Sequence, residues 1–257
     1  MVTKERRQRE FQKRERMFLQ ATRRLLLERG YGALTMDQVA EALEYSRGTV
    51  YLHFRSKGDL ISALVLEAME VVDGLLEKID AFDAPSRDKA VAWSVIPEIL
   101  RRLYPDYVTT QRILETQTTG ERASEERIDR IRKAHRAIQD HLLGIVHLAV
   151  EEESLMMKGP MEPYDLLFGL VALSWGTMAL RSDRAVLVGL EELLRPKGAP
   201  TRNFDALLDG YGWRPLSTER DYDSLRRHIW RRVFREEMDA IEKLHGKNPS
   251  SSTGGGE

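Results

Sequence analysis

The chain has 257 residues, of which 42% are hydrophobic and 32% charged, an ordinary composition for a folded protein and a sufficient length for two domains. It contains no cysteine, which excludes disulfides, thiolate catalysis and cysteine-based zinc sites and fits a cytoplasmic location. The net charge is −1, but residues 1–58 hold 13 Lys and Arg against 7 Asp and Glu, whereas the remainder holds 27 against 34. This split predicts a basic module that binds a polyanion and an acidic module with another task.

Residues 1–16 are charged throughout, so they do not read as a signal peptide. Basic side chains alternate there with Glu5, Glu10 and Glu15. Two interpretations stay open: a solvated extension of the first helix, or an arm that adds phosphate contacts or enters the minor groove of DNA. The first helix is predicted to continue to Gly30, a candidate glycine just past a helix end.

Residues 34–60 predict two short helices joined by a tight connection. Thr35 and Gln38 have the spacing of a capping box, in which each side chain bonds the backbone of the other residue. Ser46 is an N-cap candidate for the second helix. A short helix, a sharp turn and a second helix form the helix-turn-helix pattern.

The second helix has an inner and an outer face. Val50 and Phe54 lie four residues apart and are expected to face a three-helix core. The side chains expected to face outward are Arg47, Thr49, Tyr51, Leu52 and His53.

The segments TMDQVA (35–40) and SRGTVYLHF (46–54), followed by Lys57 and Leu60, resemble the DNA-binding domain of the TetR family of regulators. The resemblance covers about the first quarter of the chain. Arg47, Thr49, Leu52 and His53 are the candidates for contacts to base edges, and the chemically natural pairings are Arg47 with guanine and Leu52 with a thymine methyl. The DNA-binding residues that the resemblance implies are Thr35, Ser46, Arg47, Gly48, Thr49, Tyr51, Leu52, His53 and Lys57, of which Thr35, Tyr51 and Lys57 are expected on phosphates.

Glu44 departs from the family pattern, which usually has glycine in the turn. A left-handed backbone at this position would cost glutamate about 1 kcal/mol. Its carboxylate would also lie near the expected phosphates and weaken general affinity for DNA.

A long helix is predicted from the capping signal at Ser56–Asp59 to about Ala81, and in the family it connects the DNA-binding and regulatory parts. A turn-rich break follows at Asp83–Ser86. Further helices are predicted over Ala90–Tyr104, kinked at Pro97, and over Asp106–Thr119, Ser124–Glu153, Leu166–Leu180 and about Thr218–His245.

The run Leu166–Leu180 is uncharged, but fifteen residues fall short of the ~20 that span a bilayer, so we expect a buried helix and no membrane association. Small residues recur in it at heptad-like spacing, which lets two helices approach closely. Packing against a neighbour in the same subunit would explain this row. The resemblance instead implies a two-helix dimer interface and a four-helix bundle formed by two copies. The predicted interface residues are Gly169, Ala172, Gly176, Ala179 and Trp230.

Residues 181–217 have no assigned role. A helix over Ala185–Leu194, a turn at Asn203–Asp209 and a loop GYGW (210–213) that packs over the core are expected there. Residues 247–257, rich in serine and glycine, are predicted to be disordered.

We find no phosphate-binding loop, zinc-protease motif or nucleophile elbow in the larger half, and we expect neither an enzyme nor a cofactor. His135, His141 and His147 recur every six residues and therefore rotate around their helix, so no metal site is predicted.

Aromatic and polar side chains in the middle helices are the candidates for a ligand pocket. The same residues are ordinary core formers, and it is the resemblance that favours a pocket. The predicted ligand-binding residues are Trp93, Tyr104, Tyr107, Gln111, Tyr164, Phe168 and Trp175.

The sequence therefore predicts an all-α protein with a helix-turn-helix domain (1–58), a helical regulatory and dimerisation domain (59–246) and a tail (247–257). Its expected function is that of a homodimeric repressor that binds a palindromic double-stranded operator and is released by a small apolar effector. Two alternatives remain. One is an unswitched helical dimer that binds DNA or a protein partner without a ligand pocket, and the other is an enzyme, perhaps metal-dependent, in the second half.

Overall fold

The computed structural model describes residues 4–116, 123–157, 159–182 and 198–246, together with Glu192 and Pro196. No strand occurs in these ranges, and the fold is all-α, with an N-terminal helix-turn-helix domain followed by a helical C-terminal domain. In chain order the helices are α1 (Lys4–Ala33), α2 (Met36–Glu41), α3 (Arg47–His53), α4 (Lys57–Asp80), α5 (Ser86–Trp93), α6 (Ile96–Leu103), α7 (Tyr107–Thr116), α8 (Glu125–Glu151), α9 (Pro163–Ser182), α10 (Ala199–Gly210), α11 (Tyr222–Arg232) and α12 (Arg235–Gly246).

The described residues pack into two compact units. Unit 1 comprises Met1–Asp73 and Asp106–Ala137, and unit 2 comprises Gly74–Pro105 and Ile138–Glu257. Helices α4 and α8 each contribute residues to both units, because the unit boundaries fall inside them.

The core of unit 1 forms where the helix-turn-helix pattern placed it. Val39, Val50 and Phe54 are fully buried, and Leu43 and Tyr31 pack on them partly buried. The helices are short, so their stability comes from this packing rather than from helix propensity. Gly30 has φ 74°, and α1 loses its helical geometry there, as predicted for a glycine at a helix end.

Two predicted helices are each divided. The segment Ala90–Tyr104 is interrupted after Trp93, and Pro97 then lies in the first turn of α6, where its missing N–H has no consequence. The C-terminal segment is interrupted at Phe234, which is fully buried and whose N–H donates to the carbonyl of Ile229. At this break the side chain of Phe234 is buried in the core. Helical periodicity in the sequence does not predict such a break.

The segment after α9 contains more helix than expected. Residues predicted as a turn, Asn203–Asp209, belong to α10. The GYGW loop packs over the core as predicted, since Trp213 is fully buried and its indole N–H donates to the Ser86 hydroxyl at 3.2 Å. The predicted helix over Ala185–Leu194 and the tail 247–257 lie outside the described residues.

Helix α9 is not the buried helix that we predicted. By length and composition it is the one helix of the described ranges that could cross a membrane, over Pro163–Arg181, yet only 28% of that segment is buried. Phe168 is 76% exposed and Tyr164 is 60% exposed, so α9 presents a large apolar face. Exposed apolar area of this kind marks an interaction surface.

Candidate nucleic-acid interface

Helix α2 begins with the predicted capping box. The Gln38 backbone N–H donates to the Thr35 hydroxyl at 3.2 Å, and the Thr35 N–H donates to the Gln38 side-chain oxygen at 3.1 Å. These bonds satisfy two donors that a helix start otherwise leaves unpaired, and they fix the direction of α2.

Helix α3 is capped in the same way by Ser46, whose hydroxyl accepts from the Thr49 N–H at 3.2 Å. The Thr49 hydroxyl is 2.8 Å from the Ser46 hydroxyl and half-buried, so its reach towards a base is limited. Thr35, Ser46 and Gly48 are exposed. The cap therefore holds the start of α3 rigid and open to solvent.

The outer face of α3 carries Arg47, Tyr51 and Leu52. Leu52 is 78% exposed, an unusual position for leucine unless the surface meets a partner. Arg47 lies over the Tyr51 ring at 5.3 Å and pairs with Asp37 of α2 at 3.0 Å. Both members of that ion pair are largely exposed, so it contributes little to stability and opens at small cost when the guanidinium is needed elsewhere.

His53 does not face outward, and the prediction that it contacts bases is wrong. It is 8% exposed, and its ring stacks on Phe11 of α1 with centroids 3.8 Å apart. Burial disfavours the imidazolium, and the charges of Arg14 and Arg127 add to this effect against the opposing charge of Glu15. The pKa of His53 is therefore lowered from its usual 6.5. The helical periodicity of α3 could not report a partner that lies forty residues earlier.

Lys57, at the start of α4, has an intramolecular role that the sequence did not show. Its ammonium donates to the Tyr31 carbonyl at 2.7 Å and lies 3.7 Å from the centroid of that ring. It thus binds the turn after Gly30. An ammonium has three hydrogens, so a phosphate contact from Lys57 stays a prediction.

Glu44 has a positive φ of 57°. This is the left-handed turn that the sequence analysis treated as the costly case for glutamate. The residue is exposed, and its side chain projects from the connection between α2 and α3.

The N-terminal extension is part of α1, so the interpretation as a helical extension agrees with the structure over residues 4–16. Residues 4–13 are exposed. The stack of Phe11 on His53 holds this extension against the C-terminal end of α3. The basic side chains are consequently carried on a rigid element beside the recognition helix.

The sequence analysis missed Arg127, in the first turn of α8. Its guanidinium pairs with Asp59 at 3.1 Å and Glu15 at 3.2 Å, donates to the His53 carbonyl at 3.3 Å, and lies 5.2 Å from the centre of the Phe54 ring. It therefore joins four helices of unit 1. A lone arginine on an amphipathic helix gives no sequence signal for such a role.

Asp59 is the buried partner of this arginine. Burial opposes its charged form, but hydrogen bonds from Ser124 and from the Arg55 N–H, with the charge of Arg127, outweigh that effect. The pKa of the Asp59 carboxyl is therefore held below its usual 3.8.

The predicted ligand-binding residues are divided between the two units. Trp93 is buried in unit 2 and packs edge-on against Phe204 at 5.8 Å. Tyr107 and Gln111 are buried in unit 1, where burial raises the pKa of Tyr107 and its hydrogen bond to Gln111 partly offsets the rise. These residues fill cores, as the alternative interpretation had it.

The other aromatic candidates lie near or at the surface. Tyr164 and Phe168 are on the exposed face of α9, whereas Trp175 and Tyr104 are half-buried. Tyr164 and Phe168 are exposed rather than buried, because the apolar helix that carries them is open on one side, and their ligand-binding role stays a prediction.

The predicted interface residues fall into two groups: Gly169 packs within the subunit, and the others are exposed or half-buried. A Cβ added at Gly169 would lie 3.0 Å from the Tyr211 hydroxyl and 3.6 Å from Leu207, so this glycine permits close packing within the subunit. The predicted interface role of Gly169 is therefore corrected. Ala172 and Ala179 are exposed, whereas Gly176 and Trp230 are half-buried. Within the described ranges, three or more His, Asp or Glu side chains nowhere cluster as metal ligands.

The fold and this surface define a helix-turn-helix DNA-binding protein. Residues 18–64 match the model of the bacterial regulatory proteins of the tetR family. The HTH-type transcriptional repressor AcnR of Corynebacterium diphtheriae is 30% identical over 149 residues, which are 55% of this chain and 77% of the relative. The chain belongs to the TetR family of transcriptional regulators.

Two further comparisons agree. The Transposon Tn10 TetC protein of Escherichia coli is 27% identical over 108 residues, so this chain spans about half the length of that relative (51%) and 42% of its own. A crystal structure of a tetR-family regulatory protein from Rhodococcus RHA1 superposes with a TM-score of 0.59 at 18% identity, over 77% of this chain and 97% of the other. At that identity the likeness shows the fold alone.

Proposed function

We propose that this protein is a homodimeric transcriptional repressor that binds a palindromic operator and is released by a small molecule. The observation that carries the proposal is the outer face of α3. A capped, rigid helix on a buried core presents a guanidinium, a phenol and an isobutyl group to solvent. It acts in the cytoplasm, where its DNA is.

In the proposed complex α3 enters the major groove. Arg47 leaves Asp37 and pairs with a guanine, and Leu52 contacts a thymine methyl. Thr35, Tyr51 and Lys57 position the helix on phosphates. The basic turns of α1 extend the contact to flanking phosphates, which agrees with their exposure beside the end of α3.

The exposed face of α9 is the proposed dimer surface. It carries Tyr164 and Phe168, together with the small residues Ala172 and Ala179, all exposed. Aromatic side chains beside small ones suit close helix packing between two copies. A two-fold pair presents two recognition helices to successive major grooves about 34–36 Å apart.

The division of the chain into a DNA-binding domain up to residue 58 and a regulatory domain after it stays a prediction.

The switched mechanism is favoured over an unswitched dimer by one observation. Unit 2 is not a sealed core, because α6, α9 and α10 line a partly open cavity of about 510 Å³. A ligand that prefers one arrangement of these helices would shift the spacing of the recognition helices by its difference in affinity for the two arrangements.

The test is footprinting of the full-length protein on the DNA that flanks its own gene, followed by band-shift titration of the protected site. Arg47→Ala is expected to relax the base preference, and Tyr51→Phe to weaken binding about equally for all sequences. Thr109→Ala, on an exposed residue of α7, is the control and should change neither. Equal affinity of the unchanged protein for the protected site and for random duplex would overturn the proposal.

A further inference from the structure

The cavity of unit 2 has a lining that none of the sequence-based candidates predicted. Helix α6 contributes Glu98, Arg101 and Arg102, α9 contributes Ser174 and Arg181, and α10 contributes Phe204. The remaining lining residues are small, aliphatic or hydroxylic: Ser94, Pro97, Leu173, Thr177, Met178, Pro200 and Thr201. A volume of about 510 Å³ lies within the range of roughly 300–1,000 Å³ that holds small ligands.

The charges on the cavity wall do not cancel. Arg101 pairs with both carboxylate oxygens of Glu98, at 2.7 and 2.8 Å, and the Nε of Arg102 donates to the same carboxylate at 2.5 Å. One carboxylate thus faces two guanidinium groups, and Arg181 also lines the cavity. The wall therefore carries an excess of positive charge.

Glu98 remains charged in this arrangement. Burial opposes its ionised form, but the hydrogen bonds and charges of Arg101 and Arg102 outweigh burial and hold the pKa of Glu98 below its usual value. Its oxygens are occupied by the arginines, which leaves no carboxylate to receive a cationic ligand. The terminal amino groups of Arg102, by contrast, have no hydrogen-bond partner among the residues that the structure describes.

The wall also carries a buried hydroxyl, that of Ser174. Ser174 is 8% exposed, and its hydroxyl is buried without a hydrogen-bond partner in the described part of the chain. Burying a hydroxyl without a partner costs about 1–3 kcal/mol. Natural proteins accept that cost mainly where a ligand or water completes the bond.

We propose that this cavity is the effector site and that it takes a small amphipathic oxyanion, a carboxylate or phosphate ester on a short apolar body. Arg102 and Arg181 bind the anionic group, the Ser174 hydroxyl donates a further hydrogen bond, and Leu173, Met178 and Phe204 surround the body. The ligand class rests on the cavity alone, whereas its role as effector rests on the proposed function. The assignment differs from the purely apolar effector that the sequence suggested.

The experiment is calorimetric titration of the full-length protein with two matched series of probes. One series is octanoate, octanamide and octylamine, and the other is 3-phenylpropanoate with its amide and its amine. Within each series the body is constant and only the charge of the head group changes. Saturable one-site binding in the order acid, then amide, then amine is expected in at least one series. No saturable binding in either series, or tighter binding of the amine, would overturn the assignment.

Three variants locate the site. Arg102→Gln and Arg181→Gln are expected to weaken binding of the acid about tenfold or more and to weaken the amide less, because only the acid loses an ion pair as well as a hydrogen bond. Ser174→Ala is expected to weaken acid and amide alike, since a hydroxyl donates to either oxygen. Arg227→Gln, on an exposed arginine of α11 in the same unit, is the control. If it weakens the acid as much as the cavity variants do, the site lies elsewhere.

Band shifts with the same preparations separate this inference from the proposed function. Specific operator binding without acid binding refutes the ligand class and leaves the DNA-binding function intact. Acid binding without any operator preference refutes the proposed function and retains the site. Acid binding that leaves operator affinity unchanged removes the effector role.

Discussion

At the scale of single residues, Glu44 in the turn between α2 and α3 is unfavourable in two ways. Its side chain disfavours the backbone conformation of the turn, and its negative charge is expected to repel DNA. Glu44 holds a left-handed φ of 57° that glycine adopts without steric cost. Its carboxylate is also exposed in the connection before α3, the helix that we propose enters the major groove. One position therefore affects both stability and affinity, by two different physical effects.

Glu44→Gly is expected to raise the free energy of unfolding by about 0.5–1 kcal/mol, since the relief of left-handed strain exceeds the added freedom of the unfolded chain. Glu44→Gln removes only the charge, so it should tighten DNA binding at low salt without stabilising the fold. Urea unfolding and band shifts at two salt concentrations measure the two effects. Glu41→Gln, an exposed residue of α2, controls for charge alone. A glycine variant no more stable than the glutamine variant would contradict the strain argument.

His53 gives the DNA-binding domain a pH dependence. Its pKa is lowered by burial in the folded state, so below pH 6.5 the unfolded chain binds a proton that the folded chain does not. The contribution of His53 to the free energy of unfolding is therefore fully present above pH 6.5 and is lost as the pH falls below it. A histidine NMR titration should place the pKa of His53 under 6.5. A value at or above 6.5 would show that the ring is not held neutral.

At the scale of elements, Arg127 binds the start of α8 to α1, α3 and α4 in unit 1. Arg127 is 12% exposed and Asp59 is 4% exposed, so their ion pair is shielded from solvent. Removing one partner of a buried pair leaves the other charge uncompensated, which costs far more than the intact pair contributes.

Arg127→Ala is accordingly expected to lower the free energy of unfolding by about 3 kcal/mol. Chemical denaturation followed by circular dichroism measures the change. Arg132→Ala serves as the matched control on the same helix, because Arg132 is 59% exposed and pairs only with its neighbour Asp129 at 3.3 Å. It should change stability by less than about 0.5 kcal/mol. Equal losses in the two variants would show that Arg127 is an ordinary surface arginine.

At the scale of the whole molecule, the proposed dimer depends on the exposed face of α9. Phe168→Glu places a charge in that face without disturbing the folded subunit, because Phe168 is 76% exposed. We expect the variant to sediment as a monomer and to lose at least about tenfold in operator affinity, since a single recognition helix then binds a single half-site. Analytical ultracentrifugation and band shifts measure the two results.

Val150→Glu is the matched control, on a 42% exposed valine of α8. It introduces the same charge at another exposed apolar position and should leave the dimer intact. A dimeric Phe168→Glu protein would show that α9 is not the interface.

The features predicted correctly are those that neighbouring residues decide. The capping box of Thr35 and Gln38, the cap at Ser46 and the end of α1 at Gly30 depend on atoms within a turn or two of the chain. The inner positions Val50 and Phe54 follow from helical periodicity. Local sequence carries this information in full, so the helix-turn-helix and its core were predictable.

Contacts between distant residues decided the rest. His53 is buried by Phe11 on another helix, although its place on α3 predicted exposure. Helix α9 is apolar around most of its circumference, so periodicity could not tell Gly169, packed on Tyr211, from Phe168 in solvent. The cavity joins Arg101 and Ser174, which are far apart in the sequence and share no motif. Sequence by itself determined the family, the all-α fold and the helix-turn-helix with its core, because those depend on short-range geometry. Only the tertiary structure decided which side chains are buried, which face of α9 is exposed and which charged residues line the cavity, because these properties arise when separate helices pack.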